Sequence, residues 1–75
     1  MMKYRISLIT LDDIRKFVDI MTDFDYSATL ENEQGTYRIN ARSFLGAVAA
    51  VEDWKDIWVV SDSPNLYTAV KDFVV

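Results

Sequence analysis

The stretch Ile39-Asn40-Ala41-Arg42-Ser43-Phe44-Leu45-Gly46 decides the fold of this chain, because an alternating pattern stops within it and a run of small apolar residues begins. Tyr37, Ile39 and Ala41 alternate with Arg38 and Asn40, the period of a half-buried strand. Ser43 then suits a helix N-cap, since its hydroxyl can accept from backbone N–H groups of the first turn that lack an intrahelical partner. Phe44 to Val51 is rich in Ala and Val and predicts a short helix lying close to a sheet. Gly46 should weaken that helix by up to about 1 kcal/mol relative to Ala.

Working towards the N-terminus, Asn32-Glu33-Gln34-Gly35 is polar, ends in Gly and reads as a hairpin loop. Before it, Tyr26, Ala28 and Leu30 alternate with Ser27, Thr29 and Glu31, so two antiparallel neighbours are expected. Leu11, Ile14, Phe17, Val18, Met21 and Phe24 recur at helical spacing, with Arg15, Lys16, Asp19 and Asp23 left for water. Thr10 can cap this helix, and Asp12 and Asp13 fall in its first turn, where the helix dipole favours negative charge. Lys3 to Leu8 alternates again, with Tyr4, Ile6 and Leu8 on one side.

Towards the C-terminus, Glu52-Asp53-Trp54-Lys55-Asp56 reads as a charged connection, and Ile57 to Val60 as a buried central strand. Ser63-Pro64 opens the last element with a cap followed by proline at the first helical position. Leu66, Ala69, Val70, Phe73 and Val74 give it one apolar stripe, which predicts a second long amphipathic helix beside the first. The order is β-α-β-β-α-β-α over a single domain, residues 1–75. Each strand needs one buried face, which implies a two-layer α+β sandwich with an antiparallel sheet covered on one side by helices.

Composition narrows the function. The chain of 75 residues holds no Cys and no His. That removes disulfides, thiolate nucleophiles, common zinc ligands and the usual general base near neutral pH. The net charge of −4 argues against a nucleic-acid partner. No run approaches a membrane span or a signal sequence, so a cytoplasmic protein without a membrane partner is expected.

Adjacent carboxylates such as Asp12/Asp13 and Glu52/Asp53 do not face one another on a helix, so they make poor acid/base dyads. Asp23, Asp25 and Asp62 lack the spacing of a calcium loop. The two glycines, Gly35 and Gly46, are isolated and form no phosphate loop. No metal and no cofactor are expected. Trp54, among four charged neighbours, must either fold back on the core or meet a partner.

The whole chain resembles the histidine-containing phosphocarrier (HPr) family of the bacterial sugar phosphotransferase system. The element order and size match along essentially the full length, and the most specific local match is Ile39 to Gly46. It is similar to the family's strand leading into the regulatory serine, two apolar residues and a glycine. The resemblance implies an open-faced sandwich with a four-stranded antiparallel sheet in the order 1-4-2-3. It puts Ser43 where the family's regulatory kinase phosphorylates, and Phe44 and Leu45 where family members present an apolar docking patch. The family's Gly-Ile-His-Ala-Arg-Pro type motif corresponds here to Leu8-Ile9-Thr10-Leu11-Asp12-Asp13. Thr10 therefore stands at the position of the phosphoryl-accepting histidine and Asp12 at that of the arginine. A threonine without a base is a poor acceptor, and the carboxylates beside it would repel phosphate.

Two functions are compatible with this pattern. One is a non-catalytic, HPr-like interaction or regulatory module that binds a protein through Arg15, Phe44 and Leu45, rimmed by Asp12 and Arg42. The other is a phosphoryl-group carrier of altered chemistry, accepting on Ser43 or Thr10. The first is the expectation adopted for this sequence.

Overall fold

The computed structural model describes residues 1–75 as β1 (Met2–Ile6), α1 (Leu11–Asp23), β2 (Ala28–Glu31), β3 (Arg38–Asn40), α2 (Phe44–Asp53), β4 (Ile57–Ser61) and α3 (Leu66–Val70). The four strands form one sheet in the order β1-β4-β2-β3. Every neighbouring pair is antiparallel. This is the α+β topology expected from the sequence.

Alternation sorts the strand residues onto two faces. Ile6, Ala28, Leu30, Ile57 and Val59 point to the helical side, where they join Ile14, Phe17, Val18 and Met21 of α1, Ala47 of α2, and Leu66 and Val70 of α3 in one buried cluster. Phe17 is fully buried and meets Phe73 edge-on, with ring centroids 5.7 Å apart. Ala47 and Ala50 are the fully buried residues of α2, with Val48 and Val51 partly buried beside them, so its most buried positions are its smallest side chains and the helix lies close to the sheet. That closeness fixes Gly46: a Cβ there would overlap the Ile39 side chain and stand 3.0 Å from Ser43 Oγ. The glycine is a packing requirement of the α2–β3 contact as well as a weak helix former.

The opposite face of the sheet carries two cross-strand rows, Lys3-Val60-Thr29-Asn40 and Arg5-Trp58-Glu31-Arg38. Lys3 Nζ lies 5.2 Å from the Trp58 ring centroid. Although Glu31 is on this outward face, it is only 6% exposed. Thr29 Oγ1 donates to its carboxylate at 3.3 Å, and Arg38 Nε lies 3.6 Å away. Alternation gave the direction of Glu31 correctly, but not its cover of long neighbouring side chains.

Three local expectations are corrected. Helix α2 runs on through Glu52 and Asp53 and is capped at Trp54, whose N–H donates to Ala50 O. The acidic pair therefore belongs to the last helical turn rather than to a loop. Helix α3 is short, because the chain turns at Lys71–Phe73 and returns to the sheet. Ser7 N–H donates to Phe73 O, Val75 N–H donates to Arg5 O, and Val74 bridges Ile6. Val74 thus lies along the edge of β1 instead of on a helical stripe. Finally, Ser63 is not the N-cap of α3: its hydroxyl accepts from Asn65 N–H and holds the Pro64 turn that precedes the helix. No helix is long and apolar enough to cross a membrane.

Candidate functional site

The starts of α1 and α2 are each built around a hydroxyl. At α1, Thr10 Oγ1 accepts from Asp13 N–H at 3.0 Å, and Asp13 Oδ2 accepts from the backbone N–H groups of Ile9 and Thr10 at 3.0 and 3.2 Å. The box is reciprocal, so donors without helical partners are satisfied in both directions. The bond from Ile9 N–H, followed by that from Thr10 N–H, holds the Asp13 carboxyl below its ordinary pKa. Asp12, in the same turn, pairs with Lys16 at 3.0 Å and more loosely with Arg15 at 3.8 Å. Its hydrogen bond and charge raise the Lys16 pKa.

At α2, Ser43 Oγ accepts from Gly46 N–H at 3.0 Å, while Ser43 N–H donates to Asn40 O. The first turn of this helix holds no acidic residue. Arg42, expected at the rim of the patch, faces elsewhere. Its Nε donates to Met21 O and its Nη2 to Phe24 O, satisfying carbonyls at the end of α1.

Leu11, Asp12, Arg15 and Phe44 line one shallow depression of about 280 Å³ between the two helix starts. Phe44 is 38% exposed, and Leu45 beside it is 81% exposed. Of the residues singled out in the sequence, Asp12, Arg15 and Phe44 share the depression, Leu45 flanks it through its sequence neighbour, and Thr10 and Ser43 do not line it. Sequence reading missed Leu11, which it assigned to the buried stripe of α1. Leu11 is the first helical residue and is 65% exposed, in the depression with Phe44. Its place directly after a cap was the signal.

The two hydroxyls differ chemically. Thr10 stands among the carboxylates of Asp12 and Asp13, and the carboxyl beside it is a weakened base. Ser43 has no carboxylate in its helical turn. No group of three or more His, Cys, Asp or Glu gathers into a metal-binding arrangement. Trp54 is half-buried and packs against the core, while its other side lines a separate cleft beside β3. Comparisons with protein-family models, with curated proteins and with solved structures find no match to this chain.

Proposed function

We propose that this chain is an HPr-like protein-interaction or regulatory module without phosphoryl-transfer activity, binding a protein partner at the junction of the α1 and α2 starts. The observation that carries this reading is the depression itself. Leu11 and Phe44 give it an apolar floor, Asp12 and Arg15 give it charges of both signs, and Leu45 projects beside it. A small apolar centre with a charged rim suits transient protein binding. The HPr-like assignment is supported by the sheet order β1-β4-β2-β3 and by the Ile39 to Gly46 match, with Thr10 and Asp12 at the positions of the family's histidine and arginine.

The carrier reading has less support. Both hydroxyls already accept a backbone N–H; Ser43 has no side-chain base bonded to it, and the Asp13 carboxyl bonded to Thr10 is held below its ordinary pKa and so is a weakened base. Regulatory phosphorylation of Ser43 is a second reading favoured by one observation: the first turn of α2 is free of acidic residues, so a phosphate there would meet the positive end of the helix dipole unopposed.

The test is a pull-down from cells that make the protein, run side by side with wild type and Leu45→Asp. Loss of a specific partner from the variant, with stability changed by less than about 0.5 kcal/mol, is the expected result. A partner set unaffected by Leu45→Asp overturns the assignment of this surface. Incubation with labelled phosphoenolpyruvate and the general phosphotransferase enzyme should leave the protein unlabelled, and stoichiometric label would overturn the non-catalytic reading.

A further inference from the structure

The two edges of the sheet are finished differently. The edge of β1 is closed by the chain's own extended end, through the Phe73–Ser7 and Val75–Arg5 backbone bonds. The edge of β3 is open. Asn32 N–H donates to Tyr37 O and Ala41 N–H to Ala28 O, a register in which residues 37, 39 and 41 turn their backbone groups to β2. Those of Arg38 and Asn40 point away. Asn40 O accepts from Ser43 N–H, but Arg38 N–H, Arg38 C=O and Asn40 N–H have no partner.

Beside this edge lies a cleft of about 460 Å³ between β3 and the end of α2, lined by Tyr37, Arg38, Ile39, Asp53 and Trp54. Tyr37 is 66% exposed. Ile39 points to the helical side of the sheet, so every second residue of a strand added here would point into the cleft as Ile39 does. The cleft continues past Tyr37 and Trp54 towards Glu33 and Lys55. Arg38 is engaged with Glu31, and Asp56 with Arg5, whereas Asp53 and Glu33 form no ion pair. Two unpaired carboxylates thus face one unpaired ammonium, that of Lys55. The cleft sits at the opposite end of α2 from Phe44 and is independent of the surface discussed above.

We propose that the β3 edge and this cleft take an extended, cationic segment of a partner protein as a fifth strand, with an apolar side chain between Tyr37 and Trp54 and a lysine or arginine beside Asp53. Backbone groups supply the attachment and the alternate side chains the selectivity, as in strand addition generally. The unpaired edge groups call for an extended backbone, and the carboxylates select its charge.

The probe is the capped heptapeptide Thr-Lys-Thr-Phe-Thr-Lys-Thr, whose lysines and phenylalanine share one face when extended. It is titrated into the isotope-labelled full chain and followed by NMR. Saturable shifts and slowed exchange at the Arg38 and Asn40 amides, with a shift of the Trp54 indole, are expected. The same peptide N-methylated at its central residues should lose this binding. Asp53→Lys should weaken binding by about 5-fold, the scale of one exposed ion pair. Arg38→Pro, which removes the outward N–H together with the Arg38–Glu31 ion pair, should abolish it, whereas Arg38→Ala, which removes the ion pair alone, should not. The N-methylated probe makes the same backbone test on the unaltered protein if the proline variant fails to fold. The proposal is overturned by equal binding of the methylated peptide, by no saturable shift at Arg38 and Asn40, or by shifts confined to the helix starts. Protection of those amides that grows with protein concentration without any peptide would assign the edge to a second copy of the chain instead.

Discussion

The start of α1 and the start of α2 present the same signal in sequence, a hydroxyl residue ahead of an apolar periodic run, yet they make opposite surfaces. At α1 the threonine is locked into a reciprocal box with Asp13, Asp12 sits alongside, and the turn carries two carboxylates. At α2 a lone serine caps, no acidic residue follows, and the next two side chains are apolar and exposed. The difference teaches that a cap fixes where a helix begins but not what its first turn offers a partner. That is decided by the second and third residues and by how closely the helix lies against the sheet.

The sharpest way to break the comparison is at Gly46. If the start of α2 were an ordinary solvent-facing turn like that of α1, Gly46→Ala would gain up to about 1 kcal/mol from helix propensity. Because a Cβ would overlap Ile39, the variant should instead lose about 1–3 kcal/mol, read from the urea midpoint at unchanged slope.

The caps themselves give a smaller, paired effect. Ser43→Ala and Thr10→Ala should each cost about 0.5–2 kcal/mol. Thr10→Ala should fall at the low end of that range, since Asp13 still accepts from Ile9 and Thr10 N–H after the hydroxyl is gone. Equal losses would show that the box at α1 does not act reciprocally.

Acid gives the most selective effect and a modest one. The folded-state pKa of Asp13 is lowered, so its stabilisation is complete above its ordinary value of 3.8 and is lost as pH falls through the lowered folded value. The first turn of α2 has no carboxylate to titrate. Below about pH 4, wild type should therefore lose stability more steeply than Asp13→Asn, and a titration followed by urea unfolding at each pH checks this. Parallel curves would show that the Asp13 contacts contribute nothing to folding.

Much of this arrangement was legible in the residues. Period-two patterns in Lys3–Leu8, Ala28–Glu31 and Arg38–Ala41 and the period-3.6 pattern in Leu11–Phe24 report which face is buried, and burial is what the sheet and α1 are made by. Tyr26 and Tyr37, expected on the buried side, instead precede β2 and β3 and are exposed, because they fall in the turns before the paired residues. Boundaries were less legible where charge and helicity coincide: Glu52 and Asp53 read as a loop because acidic runs are usually solvated, yet the exposed side of a last helical turn is solvated too. Contacts between residues distant in sequence left no local trace. Arg42 binding Met21 and Phe24 carbonyls, the return of Val74 to Ile6, and the cover over Glu31 each depend on the register of the assembled sheet. At the candidate site, Phe44 and Leu45 could be named from their place after Ser43, while Leu11, which follows its own cap in the same way, was masked by its helical spacing from Ile14 and Val18.

The strand order also sets when this molecule can fold. β4 is the central partner of both β1 and β2, but it is the last strand in the chain, and β1 pairs only with it and with the Phe73–Val75 end. A growing chain can form α1 and the β2–β3 hairpin early, yet its first strand stays unpaired until residues 57–61 have been made. Closing so long a loop costs entropy before any contact offsets it, which slows folding and leaves the apolar side of β1 exposed in the meantime. The sheet can therefore assemble only once β4 has been made, so β1 and the β2–β3 hairpin wait for the same late segment before either joins it.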